Sequence, residues 1–342
     1  MQLTACMNLR DLLTLTQHYK FQSAWWLPGG HLQTLAAKYL HPRYQGSLTT
    51  EWLPLADGDE LELCWSQSLS ANYQGPLVVL LHGLAGNRHS HYVQGMFAAF
   101  QQLDWPVVLM HFRGCGSRPN QLPRAYHSGD TDDLRYLLAQ LQQRFPGVQL
   151  LAVGFSLGGN VLMKYCGEEG DKNPLSAAVA VCAPLALASS AKRINQGFSK
   201  LYQRYLLRQL KQSALQKLQR FDDFPISLTH QAVKRMPSIE AFDDGFTAPL
   251  HGFLDAADYY HRASGRQFLP AIRVPSLIIH AADDPFLAPE VVPHPAELPD
   301  WVQHETWPSG GHVGFVGGRN PLKPIFWLNE RIPLFFQEVL QR

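Results

Sequence analysis

Five short runs with no polar face constrain this chain most. They are GPLVVLLHG (75–83), WPVVLMHFRG (105–114), VQLLAVG (148–154), SAAVAVCAP (176–184) and VPSLIIHAADD (274–284). Each is rich in aliphatic or β-branched residues and stops at a glycine or a polar turn, as buried strands do. A strand apolar on both sides needs a cover on both sides, so helices must flank the sheet. Helical patterns do lie between the runs: YVQGMFAAFQQL, TDDLRYLLAQLQQRF and NVLMKYCGEE. Asp130 or Thr131 is the expected N-cap of the second. This alternation predicts an α/β chain with a mostly parallel central sheet. Upstream, EWLPLADGDELELCWSQS (51–68) predicts a hairpin turning at Asp57-Gly58.

The rhythm breaks between Pro184 and about Gly265. NQGFSKLYQRYLLRQLKQSALQKLQRF (195–221) reads as one long or two medium helices, and GFLDAADYYHRAS (252–264) as another. A helical insertion between two sheet strands reads as a cap. The expected division is an N-terminal arm over 1–48, a first core part over 49–185, the cap over 186–264 and a second core part over 265–342. With 342 residues, 46% hydrophobic and 17% charged, the chain can bury such a core. Its net charge of +1 provides no global field for nucleic acid. The cysteines, Cys6, Cys64, Cys115, Cys166 and Cys182, are odd in number and scattered, which argues against a disulfide framework or a zinc site. The first twenty residues lack the pattern of a secretory signal. A soluble cytoplasmic protein is expected.

The third apolar run ends in VGFSLGGN (153–160). Glycine is common enough that Gly-x-Ser-x-Gly arises by chance in roughly one chain in ten of this length, so context must decide. Here a buried strand precedes Ser156 and a helical pattern follows it, the setting of a nucleophile elbow. Gly154 and Gly158 would remove the Cβ atoms that clash in so tight a turn. A phosphate cradle fits less well, because no Lys-Ser or Lys-Thr follows and the spacing matches no dinucleotide fingerprint.

A serine nucleophile needs a base, and the base needs an orienting carboxylate. His312, in SGGHVGF (309–315), follows the serine near the C-terminus among glycines that leave its ring free to reach another loop. Asp283 and Asp284 end the run at 274–284, on the rim where the elbow lies. Asp284 is the preferred carboxylate and Asp283 the alternate. LLHGLAGNRHSHY (80–92) leaves the first core strand through His82-Gly83-Leu84. The backbone N–H groups of Leu84 and Leu157 are the expected oxyanion donors, with His82 bracing the loop.

Together with WWLPGGHLQT (25–34), MHFRGCGSRPN (110–120), YHSGDTDDL (126–134) and FDDGFTAPLHGF (242–253), these stretches resemble the YheT-like hydrolases of the α/β-hydrolase superfamily, related to the mammalian ABHD proteins. The resemblance covers nearly the whole chain. It implies the α/β-hydrolase fold with a helical cap, a charge-relay triad at the positions of Ser156, Asp284 and His312, and hydrolysis of carboxylic esters without a cofactor. The expected substrate is a small-molecule or lipid ester with a short or medium acyl chain. Acyl transfer to an alcohol or lysophospholipid, and a non-catalytic binding role, are the alternatives.

Three other segments have simpler readings. WWLPGGHLQT reads as an arm pinned across the core rather than a pocket wall. His127 and Asp132 stand in a His-x4-Asp arrangement seen in some acyltransferases, but the preferred reading is a helix start with acids near its positive end. Residues 192–220 carry eight Lys or Arg and no acid. Such a helix can lie on an anionic membrane. The expectation is a solvated face balanced by the acidic residues of 240–258. No histidine set with metal-ligand spacing stands out, so no metal is expected. Oligomeric state is not legible.

Overall fold

The computed structural model describes residues 20–342. Cys6 and most of the N-terminal stretch read for a signal lie outside them. Eight strands form one sheet in the order β1-β2-β4-β3-β5-β6-β7-β8. Strands β1 (Thr49–Pro54) and β2 (Glu60–Trp65) are the expected hairpin, with Gly58 at φ +88° in its turn. The expected buried runs become β3 (Pro76–Leu81), β4 (Val107–Met110), β5 (Gln149–Phe155), β6 (Leu175–Val181) and β7 (Ser276–Ala281). These five pair in parallel, as does β8 (Val302–Trp307) with β7.

Helix α1 (Gly30–Leu40) precedes the sheet. Helices α2 (His91–Gln101), α3 (Asp132–Arg144) and α4 (Leu157–Glu169) follow β3, β4 and β5 in turn. Thr131 takes the N-cap position of α3, but its hydroxyl donates to Glu168 (2.6 Å) and does not cap the helix. Because β3 lies between β4 and β5, successive crossovers leave it in opposite directions. Ligand crevices of open α/β sheets form at such a switch point, beyond the carboxyl ends of the strands.

Between β6 and β7 run α5 (Leu187–Ile194), α6 (Lys200–Arg220), α7 (His230–Arg235) and α8 (Ala256–Ala263). The long basic segment is therefore a single helix of 21 residues. The expected charge balance within the insertion is not formed. None of the ion pairs among the described residues includes a cation of α6. The acids of 240–258 are used locally instead: buried Asp243, in a π-helical turn, accepts from Tyr260 and Thr247 hydroxyls at 2.8 Å each. Helix α9 (Leu328–Leu340) completes the chain. Among the described residues no helix is long and apolar enough to cross a membrane.

Burial raises the Asp243 carboxyl to about 6 despite those two hydrogen bonds. A carboxyl with a raised folded pKa stabilises the fold while protonated. Its contribution is complete below about pH 4 and is lost as pH rises through about 6. Asp243→Asn keeps groups that can bond Tyr260 and Thr247, and it carries no charge. Relative to wild type, its unfolding free energy is expected to gain with rising pH, by on the order of 3 kcal/mol at neutrality. Paired unfolding curves from pH 4 to 8 measure the difference.

Candidate active site

The carboxyl ends of β3, β5, β7 and β8 bring the candidate residues to one rim. Ser156 joins β5 to α4 with φ +51° and ψ −120°, a conformation that L-residues rarely adopt. The turn is possible because its neighbours lack side chains. A Cβ on Gly158 would lie 2.6 Å from the carbonyl oxygens of Leu81 and His82, and one on Gly154 would run into the Gly158 carbonyl. The Ser156 hydroxyl faces His312, with Oγ 3.0 Å from Nε2. The other ring nitrogen, Nδ1, lies 2.8 Å from Asp284 Oδ2. A carboxylate only accepts, so Nδ1 carries the proton and Nε2 is left to accept from the serine. Asp284 is buried and its second oxygen accepts the Phe286 N–H (2.8 Å).

Asp283, the alternate, does not reach the imidazole. Its Oδ1 accepts the Gly311 N–H (2.9 Å) and so holds the loop that carries the histidine. The Phe286 ring stacks on His312 at 4.0 Å and nearly parallel. Beneath lies buried Cys182, whose sulfur accepts the Val313 N–H (3.3 Å). Burial pushes its thiol well up, so it stays protonated. Cys182, Asp284 and His312 also offer ligand atoms within 4.8 Å of one another. A protonated thiol and an imidazole nitrogen already donating to carboxylate are poor ligands, and we read the cluster as a hydrogen-bonded one.

In the loop after β3, three N–H groups are occupied. Gly83 donates to Tyr92 (2.9 Å), Ala85 to Tyr126 (2.9 Å) and Gly86 to the Gly83 carbonyl (2.9 Å). Among the described residues the Leu84 N–H has no partner, nor has that of Leu157 at the start of α4, where the helix dipole is positive. His82 braces this loop: Nδ1 donates to the Gly83 carbonyl (2.7 Å) and Nε2 accepts from Phe112 (3.1 Å). Burial lowers its pKa to about 3, which fixes the neutral ring.

The arm WWLPGGHLQT has a role beyond covering the core. Thr34 Oγ1 accepts the His312 N–H (2.8 Å) and donates to Gly30 (2.6 Å). Gly30 packs so closely on the Asp283 carbonyl that no Cβ fits. Gln33, fully buried, exchanges two hydrogen bonds with the Val316 backbone (2.8 and 3.0 Å). Its two tryptophans matter less: Trp25 is exposed, and both indoles donate to carbonyls at 318–319. Thr34, Gln33, Phe286 and Cys182 were not legible as site residues, because each acts through a contact distant in sequence.

The His-x4-Asp arrangement is not assembled. His127 faces His251 across 4.6 Å, in the wall of a cavity of about 700 Å³ beside α3. Asp132 pairs with Arg135 (2.7 Å). Burial drives His127 to about 3, so it is neutral at physiological pH. No hydrogen bond among the described residues joins it to Asp132 or Ser156.

A serine on a strained strand-to-helix turn, on the rim of a mostly parallel sheet, defines an α/β hydrolase. The chain belongs to the alpha/beta hydrolase fold family, whose pattern matches residues 76–318. Within it, the chain is one of the YheT-like members related to the ABHD proteins. It is 43% identical over 306 residues to the Escherichia coli (strain K12) protein named "Putative esterase YheT", covering 89% of this chain and 88% of that one. It is 33% identical to the Saccharomyces cerevisiae "Medium-chain fatty acid ethyl ester synthase/esterase 2", covering 76% of this chain and 62% of that protein. Among solved structures, Pyrococcus furiosus esterase Pf2001 shares the fold, with TM-score 0.53, 16% identity and coverage of 87% of this chain and 98% of that one.

Proposed function

We propose that the protein is a serine hydrolase of carboxylic esters, acting on short or medium acyl or lipid-like esters through an acyl-enzyme on Ser156. The observation that carries this reading is the continuous hydrogen-bond chain from Asp284 through His312 to the strained serine. Ser156 Oγ attacks the acyl carbon as His312 Nε2 takes its proton. The N–H groups of Leu84 and Leu157 hold the oxyanion, each worth about 10²- to 10³-fold in turnover. The tetrahedral species collapses and expels the alcohol, which receives the proton from His312. Water then gives its proton to His312 and attacks the acyl carbon; the second tetrahedral species collapses, Ser156 Oγ takes that proton back from His312, and the carboxylic acid leaves. Asp284 holds the tautomer and stabilises the imidazolium.

Residues 186–264 serve as the cap that selects the substrate, on a core of 49–185 and 265–342; of the arm expected over 1–48, residues 20–48 are described and 1–19 lie outside the described residues. The root of α6 supports this, since Ser199 donates to the Pro285 carbonyl (2.6 Å) beside the acid. A cytoplasmic location is consistent with Cys64, Cys115, Cys166 and Cys182 standing unpaired. A panel of p-nitrophenyl and glycerol esters varied in acyl length tests the reading. Turnover that depends on acyl length and is absent for matched amides is expected; no ester turnover across the panel contradicts it.

Acyl transfer to an alcohol is the second reading, favoured by the yeast relative whose name includes ethyl ester synthase. The same acyl-enzyme forms and an alcohol replaces water. Product analysis with added ethanol separates the two: hydrolysis gives mainly acid, transfer mainly ethyl ester.

A further inference from the structure

Beside the loops that carry Phe286 and His312 lies a ridge that ester hydrolysis does not itself require. Helix α1 exposes Leu32 and Tyr39, and the start of α6 exposes Phe198, Leu201 and Tyr205, all between 45% and 74% accessible. The two elements touch. The His31 ring lies 4.7 Å from Phe198 and stacks on Tyr202, and Lys38 Nζ sits 4.5 Å above the Tyr205 ring. Isolated exposed apolar side chains are ordinary, but five on two elements that touch through His31, Tyr202 and Lys38 mark a contact surface. The ridge adjoins the catalytic machinery: the Tyr202 ring meets Phe286 at 5.0 Å, and Phe286 stacks on His312.

The same ridge carries cations without acids. Residues 20–50 hold Lys20, Lys38 and Arg43, residues 192–220 hold eight Lys or Arg, and neither stretch holds an Asp or Glu. Of the eight, Lys192, Lys200, Arg204 and Arg208 are exposed, while Lys217 is buried against Asn120 and Arg220 bonds the Asn120 carbonyl. On α6 the spacing puts Leu201, Tyr205 and Arg208 on one face, with Lys200 and Arg204 adjoining it. None of the ion pairs among the described residues includes Lys38 or a cation of α6. Further along, a groove of about 760 Å³ has Leu207, Leu215 and Met236 in its lining together with Arg204, Arg208 and Lys234. No acidic residue lines that groove.

We propose that this ridge docks the protein on an anionic lipid surface, with the side of the fold that carries Phe286 and His312 next to the bilayer. The apolar side chains enter the headgroup region, and Lys200, Arg204 and Arg208 meet the lipid phosphates, as on an interfacial amphipathic helix. A bare cationic stripe would also suit nucleic acid. The apolar crest does not, since it gains nothing against a phosphate backbone and much against acyl chains.

Vesicle sedimentation tests this independently of the ester reading, because binding needs no turnover. The full chain carrying Ser156→Ala is mixed with phosphatidylcholine vesicles, with and without phosphatidylglycerol. Binding is expected only when phosphatidylglycerol is present, and it weakens with salt. Each cation near such a surface contributes roughly fivefold. Lys200→Glu, Arg204→Glu and Arg208→Glu together are therefore expected to lower affinity by about 100-fold or more. Phe198→Ser, Leu201→Ser and Tyr205→Ser together are also expected to release the protein. Both triple variants keep the circular dichroism spectrum and the cooperative unfolding midpoint of the parent protein to within a few degrees, which shows that they fold. The proposal is overturned by no binding, by equal binding to both vesicle types, or by binding that survives charge reversal. A dimer that buries the ridge in ultracentrifugation, or preferential capture of nucleic acid, overturns it too.

Discussion

Ser156→Ala is expected to lower turnover of a p-nitrophenyl acyl ester by about 10⁶-fold, leaving the residual rate that binding and the oxyanion donors support. The fold is expected to persist, because alanine keeps the Cβ and the backbone is held from both sides: the Ser156 N–H donates to Val181 (2.8 Å) and its carbonyl accepts from Gly159 and Asn160. Ser156→Gly adds a second readout. At φ +51° a side chain is strained, so glycine is expected to raise the unfolding midpoint while abolishing turnover. A serine that served only as a turn residue would leave activity in both variants.

The second large effect separates two adjacent aspartates. Asp284→Asn is expected to cost about 10⁴-fold in kcat, because an amide beside Nδ1 favours the wrong tautomer and cannot stabilise the imidazolium. Asp283→Asn keeps an oxygen that can accept the Gly311 N–H, so its loss is expected to stay within about tenfold, near the worth of one neutral hydrogen bond. Steady-state kinetics of the two variants at one pH is sufficient. A large loss confined to Asp283→Asn would move the acid by one residue.

The sequence makes those strands legible whose burial is double-sided. From β3 to β7, neighbours on both edges and helices on both faces demand continuous aliphatic runs, and those runs stand out. The strand β8 does not, because it is the edge and is only partly buried, and Gln303, His304 and Glu305 interrupt its pattern. Ser156 was legible through its glycines, since a close approach of backbones leaves a mark on sequence. The choice between Asp283 and Asp284 was less so. It depends on a turn of two residues, in which one carboxylate faces the ring and the other faces the backbone of the same loop.

The support around the histidine was hidden for a different reason. Thr34 bonds to the His312 backbone across 278 positions, and Cys182 to Val313 across 131. Neither has a local pattern, because a single hydrogen bond to a distant loop imposes no periodicity. The basic face of α6 was plain in the sequence, and the expectation that acids would balance it was wrong. Asp243 is consumed by Tyr260 and Thr247 inside the cap. Lys217 is buried against Asn120 and the 122–124 carbonyls, and Lys200, Arg204 and Arg208 are left exposed. That difference is what turns a solvated helix face into a candidate lipid-docking ridge.

The most direct test of the central claim is mass spectrometry of the protein quenched during turnover of a p-nitrophenyl ester. The account predicts a burst of p-nitrophenol, an added acyl mass, and that mass on the peptide containing Ser156. Turnover without an acyl adduct, or an adduct on another residue, would contradict it.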